Sequence, residues 1–182
     1  MISIGSQDAE DEWIVVPNDL QQASDRAIEK WSARAARSVL PKRVLRQDPE
    51  QFPIQASLAA AAVMTGPDES AFVLRAALPG SFLPVRLHWR ESETDHRGAL
   101  RQLAMPSLKQ VTIAEPEPWR SPTGSLGLRA TILREHAPHG WVGSFPFEQV
   151  LVQIKVDVEP RDAEIMEAPI GRLLSRLRVR VL

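Results

Sequence analysis

Apolar residues change period several times along the chain, and each change predicts an element. Trp13 to Pro17 is a β-prone run that Pro17 stops, and Asn18 can then cap a helix, with Gln21 three residues on where a capping-box partner belongs. Between Asp19 and Leu40, Leu20, Ala23, Ala27, Trp31, Ala35 and Val39 recur at three- and four-residue spacing. That spacing predicts a helix with one narrow apolar stripe, turning Arg26, Lys30, Arg34 and Arg37 to water and ending at Pro41.

Ile54 to Thr65 and Ala71 to Leu78 then read as two strands joined through Gly66-Pro67-Asp68-Glu69-Ser70, a loop composition suited to a hairpin, although the alanine run Ala59 to Ala62 is also helix-compatible. Leu83, Val85, Leu87 and Trp89 alternate with Pro84, Arg86, His88 and Arg90, the period of a half-buried strand. Glu91 to Gly98 is polar and reads as a loop, and Gln110 to Glu115 reads as a short strand ended by Pro116, Pro118 and Pro122. Leu126 to His136 is a further strand, and Val150, Val152, Ile154, Val156 and Val158 alternate with Gln149, Gln153, Lys155 and Asp157. After Pro160 the period becomes helical again through Ile170, Leu173, Leu174 and Leu177, with the firm helix starting at Pro169, because proline is tolerated in a first turn, and Asp162 to Ala168 left open. Arg178 to Leu182 is a last strand or a frayed end.

Together these elements predict one α+β domain over residues 13–182, with a largely antiparallel six- or seven-stranded sheet flanked by an N-terminal and a C-terminal helix. Residues 1–12, with Asp8, Glu10, Asp11 and Glu12, form an acidic N-terminal segment that is a candidate for flexibility.

Composition narrows the function classes. With 22 basic and 23 acidic residues the net charge is -1, so no chain-wide field draws in nucleic acid or an anionic membrane, and neither is an expected partner. Zero cysteine removes disulfides, thiolate nucleophiles and thiolate metal sites together. No apolar run approaches the ~18 residues of a membrane span, and Met1 to Glu12 lacks the basic and apolar regions of a secretory signal, so a cytoplasmic protein is expected. Heavy use of Ala, Arg, Leu and Val with few Lys is a bias common in GC-rich bacterial genomes.

Candidate chemistry is sparse. Glu135, His136 and His139 make an E-H-x-x-H cluster, but Ala137, Pro138 and Gly140 put it on a loop without helical ligand geometry, so neither a metal nor another cofactor is expected. Acidic runs at Asp8 to Glu12, Glu91 to Asp95 and Asp157 to Glu167 read as solvated faces, and Ser121 to Ser125 lacks the order of a nucleophile elbow. Arg86, His88 and Arg90 project to one strand face, with Arg75 on a neighbouring strand. This basic stripe can receive a carboxylate or phosphate. Of the tryptophans, Trp31 and Trp89 fall on apolar stripes and read as core, whereas Trp119 and Trp141 read as loop residues that could anchor a protein partner.

The order of elements resembles the Mog1/PsbP-like α/β/α sandwich, and in particular its actinobacterial lipoprotein-N-type members. The resemblance lies in Trp13 to Pro17 followed by the helix from Asn18, in the pair Ile54 to Thr65 and Ala71 to Leu78, and in Gln149 to Val158 followed by Ala168 to Arg178. It implies a non-catalytic adaptor or binding domain and carries no functional residue across. The lipobox cysteine and signal peptide of the lipoprotein members are missing. The expected function is a non-catalytic cytoplasmic protein-interaction module of adaptor, chaperone or immunity type, working through Trp119 and Trp141. The alternative is a binder of a small anionic ligand, or an enzyme, using the basic sheet face of Arg75, Arg86, His88 and Arg90. The oligomeric state is left open.

Overall fold

A computed structural model describes residues 2–6, 11–17, 20, 23–40, 51–64, 69–77, 83–91, 96–106 and 111–181. The long apolar alternations pair into an eight-stranded antiparallel sheet, which is one strand more than the upper expectation. Its members are β2 (Trp13–Val16), β3 (Glu69–Leu74), β4 (Pro84–Glu91), β5 (Thr112–Ile113), β6 (Glu117–Arg120), β7 (Leu126–Arg134), β8 (Ala137–Phe147) and β9 (Val150–Val156). They run in the order β2-β3-β4-β9-β8-β7-β5, with β6 also on β7. A separate ribbon joins β1 (Ile2–Ser6) to β10 (Leu177–Val181), so residues 2–6 of the N-terminal segment form a strand, as do residues 178–181 of the expected last segment.

One sheet face carries Trp13, Phe72, Val85, Leu87, Trp89, Phe145, Val152 and Ile154, all buried under Met166, Ile170, Leu173 and Leu174 of α4 (Pro160–Ser175). The other face is covered at its β2-β3 end by α1 (Asp25–Val39) and α2 (Gln51–Met64), which meet Ile14, Val16, Ala71 and Val73. Further across, Ala99 and Leu103 of α3 (His96–Ala104) cover Leu151. Helices on both faces of an antiparallel sheet give the α+β class that the periodicities predict.

Several boundaries differ, each for a local reason. Helix α1 begins at Asp25 behind an N-cap at Ser24, and its buried face is Ile28, Ser32 and Ala36, rotated from the expected stripe, so Trp31 is only half-buried. Asn18 and Gln21 of the expected cap, and Gly66-Pro67-Asp68 of the expected hairpin, lie outside the described residues. The expected strand from Ile54 is a helix: residues 51–64 form α2, in which Ile54, Leu58, Ala61 and Ala62 are buried at helical spacing. A four-residue alanine run has the strongest helix propensity of any composition, and here it outweighs the apolar content that suggested a strand.

Helix α3 occupies residues 96–104, partly within the expected loop. Its carbonyls are received by the sheet beneath it: Ser144 Oγ donates to Leu100 at 2.8 Å, Arg90 Nη2 to Ala99 at 3.0 Å, and Gln153 Nε2 to Leu103. A two-turn helix is marginal alone, so this one depends on partners that a local pattern does not reveal. Helix α4 starts nine residues earlier than Pro169, with Pro160 in its first turn and Pro169 buried inside it.

Candidate functional site

One row across the sheet face beneath α1, α2 and α3 departs from the chemistry of its neighbours. Through successive registers Val16, Ala71, Arg86, Lys155, Val142 and Ala130 lie side by side on β2, β3, β4, β9, β8 and β7. The four neutral members are buried. The two in the middle are cations directly opposite one another, where Cβ atoms stand about 4.5–5.5 Å apart and like charges destabilise the pair.

Strand ends bring the other charges. Asp157 follows β9 and accepts from Arg134 Nη2, at the end of β7, with both oxygens, at 3.0 and 3.1 Å. Its Oδ2 is 3.1 Å from Lys155 Nζ, and its Oδ1 is 3.5 Å from His139 Nε2 on β8. One carboxylate therefore serves Arg134, Lys155 and the His139 ring, while Arg86 has no carboxylate partner among the described residues. Arg86, Arg134, Lys155 and Asp157, with Ala61 of α2, Ala71 and Pro84, line a cavity of about 210 Å³.

The electrostatics follow from that crowding. Burial, then the Arg86 charge, and more weakly Arg134, hold the Lys155 ammonium below its ordinary value against the opposing pull of Asp157. Burial disfavours the Asp157 charge, but Lys155 and Arg134 outweigh it and hold the carboxyl below its ordinary value. Three fixed cations against one carboxylate leave a partly desolvated site with excess positive charge and apolar walls. Such a site suits a small anion with a short hydrocarbon part.

Of the stripe expected from sequence, only Arg86 reaches this cavity. Arg75 instead donates to the carbonyl and hydroxyl of Ser38 at the end of α1, at 3.2 and 3.1 Å. Arg90 fastens α3, and His88 is the register partner of Gln153 and Glu69. Lys155 and Asp157 are visible in sequence as the polar side of a strand, but their position opposite Arg86 depends on β4 pairing with β9. Arg134 arrives by a register shift between Thr131 and Leu133, which has no sequence signature.

Two other expectations are corrected. Trp119 lies in β6 and Trp141 in β8, not in loops. Trp141 is 5% exposed, and Trp119 is half-buried against it, with ring centroids 5.7 Å apart. Phe145 lies 5.9 Å from Trp119, so the two tryptophans form an aromatic cluster on the α4 side of the sheet. The Glu135-His136 pair is the two-residue turn between β7 and β8, with φ of 49° and 67°, while His139 faces Asp157. Among the described residues no group of three or more His, Asp or Glu side chains is placed to hold a metal ion.

Also among the described residues, no helix is long and apolar enough to cross a membrane. No protein-family model matches the chain, and no curated protein matches it. Among solved structures, the solution structure of cyanobacterial PsbP (CyanoP) from Synechocystis sp. PCC 6803 is similar over 65% of this chain and 78% of that chain. The TM-score is 0.42 and the sequence identity 10%.

Proposed function

We propose that this chain is a binding protein for a small anionic ligand, received in the cavity between Arg86, Arg134 and Lys155. The observation that carries the reading is the row Val16, Ala71, Arg86, Lys155, Val142, Ala130, in which two like charges face each other amid buried neutral residues. An anion between them turns a repulsion that weakens the empty fold into charge-assisted hydrogen bonds. At about 210 Å³ the cavity is smaller than the roughly 300 Å³ at which drug-sized sites begin. A carboxylate or phosphate with a short apolar part against Ala61, Ala71 and Pro84 is the fitting class, and we assign the protein to the cytoplasm.

Isothermal titration with phosphate, propionate and pyruvate tests the reading. Binding that disappears in Arg86→Gln, with the unfolding midpoint of the free protein kept or raised, supports it. Heats indistinguishable from dilution for all three anions at millimolar concentration would remove it.

Docking of a protein partner is the second reading, and one observation favours it. Leu126 is 67% exposed on β7 beside Arg120 of the exposed strand β6, where an apolar contact is available. The half-buried Trp119 of the same strand would add to that contact, whereas buried Trp141 would support it from below.

A further inference from the structure

We propose that Lys155 captures a small oxo acid as a reversible imine while Arg86 holds the acid's carboxylate. The inference rests on the anion-binding reading above and specifies its ligand.

Three features of the cavity point to carbonyl chemistry over simple ion pairing. The first is the amine itself. Lys155 is one of four lysines in the chain, and its side chain is only 12% exposed, with its ammonium beside the walls of Ala61, Ala71 and Pro84. An amine becomes a nucleophile when it is desolvated next to other cations, because both effects favour the neutral form. Arg86 from β4 and Arg134 from β7 are those cations, and Asp157, which His139 also meets, is the carboxylate at the amine.

The second feature is the spacing. Arg86 and Lys155 are direct cross-strand partners, about 4.5–5.5 Å apart at Cβ. A molecule whose carboxylate meets the guanidinium can therefore present a carbonyl carbon one or two bonds away to the amine. That describes a 2-oxo or 3-oxo acid of three or four carbons, which also suits a cavity of about 210 Å³. A ketone without a carboxylate would leave Arg86 unpaired.

The third feature is a proton acceptor in place. Asp157 Oδ2 is 3.1 Å from Lys155 Nζ. It can take one ammonium proton, freeing the nitrogen lone pair to form a C–N bond as the carbonyl π bond opens. The resulting carbinolamine oxygen takes up one proton from the nitrogen and, receiving the one held by Asp157, leaves as water when the C–N double bond forms. Overall, an ammonium and a ketone give a protonated imine and water, with the carboxylate of Asp157 restored and no oxidant or reductant consumed.

The test is reductive trapping on the full chain. The protein is incubated with pyruvate and sodium cyanoborohydride at neutral pH, digested and mapped by mass spectrometry, with acetone as the carbonyl lacking a carboxylate and propionate as competitor. The expected result is one carboxyethyl adduct per chain on Lys155, formed at least about tenfold faster than on exposed Lys30, an advantage that holding the carboxylate in register supplies. Acetone should react slowly, propionate should protect, Arg86→Gln should lose the advantage and Lys155→Arg should lose the adduct. Because the wild-type comparison of Lys155 with Lys30 needs no variant, a poorly folded substitution does not spoil the test. Pyruvate binding by calorimetry with no preferential adduct would overturn the imine and leave the anion site standing. Absence of both binding and adduct would overturn both.

Discussion

The guanidinium of Arg129 lies over the Trp141 ring, 4.4 Å from its centroid, and also reaches Glu167 of α4 at 3.4 Å. A tryptophan that an isolated sequence places on a loop is thereby sandwiched between a cation and the sheet core. Trp141→Ala should lower stability by about 3–5 kcal/mol, as expected for removing a buried aromatic. Urea unfolding checks this, and a midpoint equal to wild type would show that the ring is not part of the core.

Glycine makes that aromatic cluster fit. A Cβ at Gly143 would stand 2.9 Å from Trp119 Cζ3 and 3.0 Å from Trp141 Cζ3. Gly143→Ala should therefore cost about 1–3 kcal/mol through overpacking and alter the near-ultraviolet circular dichroism of the tryptophans. An unchanged spectrum with unchanged stability would count against this packing.

The β7–β8 turn predicts a gain. Glu135 and His136 both have positive φ, which side-chain-bearing residues adopt at a cost and Asn-Gly adopts readily. Replacing the pair by Asn-Gly should stabilise the protein by about 1 kcal/mol, read as a higher denaturant midpoint with unchanged slope. No gain would argue that the turn has another geometry.

Acid and alkali should act on the site in opposite senses. The carboxyl of Asp157 is held below its ordinary 3.8, so its stabilisation is present above that pH and is lost as pH falls through the lower folded value. The Lys155 ammonium is held below its ordinary 10.5, so the unfolded chain binds more protons and stability rises with pH from the folded value toward 10.5. Asp157→Asn should flatten the acid limb of a stability–pH curve, and Lys155→Met should flatten the alkaline one. Unchanged limbs in both variants would separate these residues from the titration.

Legibility in the sequence follows how local each cause is. β4 and β9 alternate cleanly because one face of each is buried, so the period alone places Val85, Leu87, Val152 and Ile154 in the core. α2 is not separable from a strand by pattern, because an apolar segment covered by α1 on one side and the sheet on another shows little polarity contrast. β8 is hidden by its turn: Glu135-His136 lacks the Asn or Gly that marks such hairpins, so the strand holding Trp141 and His139 leaves no local signal. The site is the least legible, since both members of the Arg86–Lys155 pair are recognisable as polar-face residues but their meeting is a fact of register, 69 positions apart in the chain.

The ribbon of β1 and β10 has a mechanical consequence. Ile2 pairs with Val181 and Ser6 with Leu177, so its outermost bridge joins residues near the two ends of the chain in antiparallel sense. Opposed pulling at those ends would load one bridge at a time, as in peeling, instead of shearing all of them together. The ribbon should therefore yield at low force, with the eight-stranded sheet behind it resisting until α4 is drawn off.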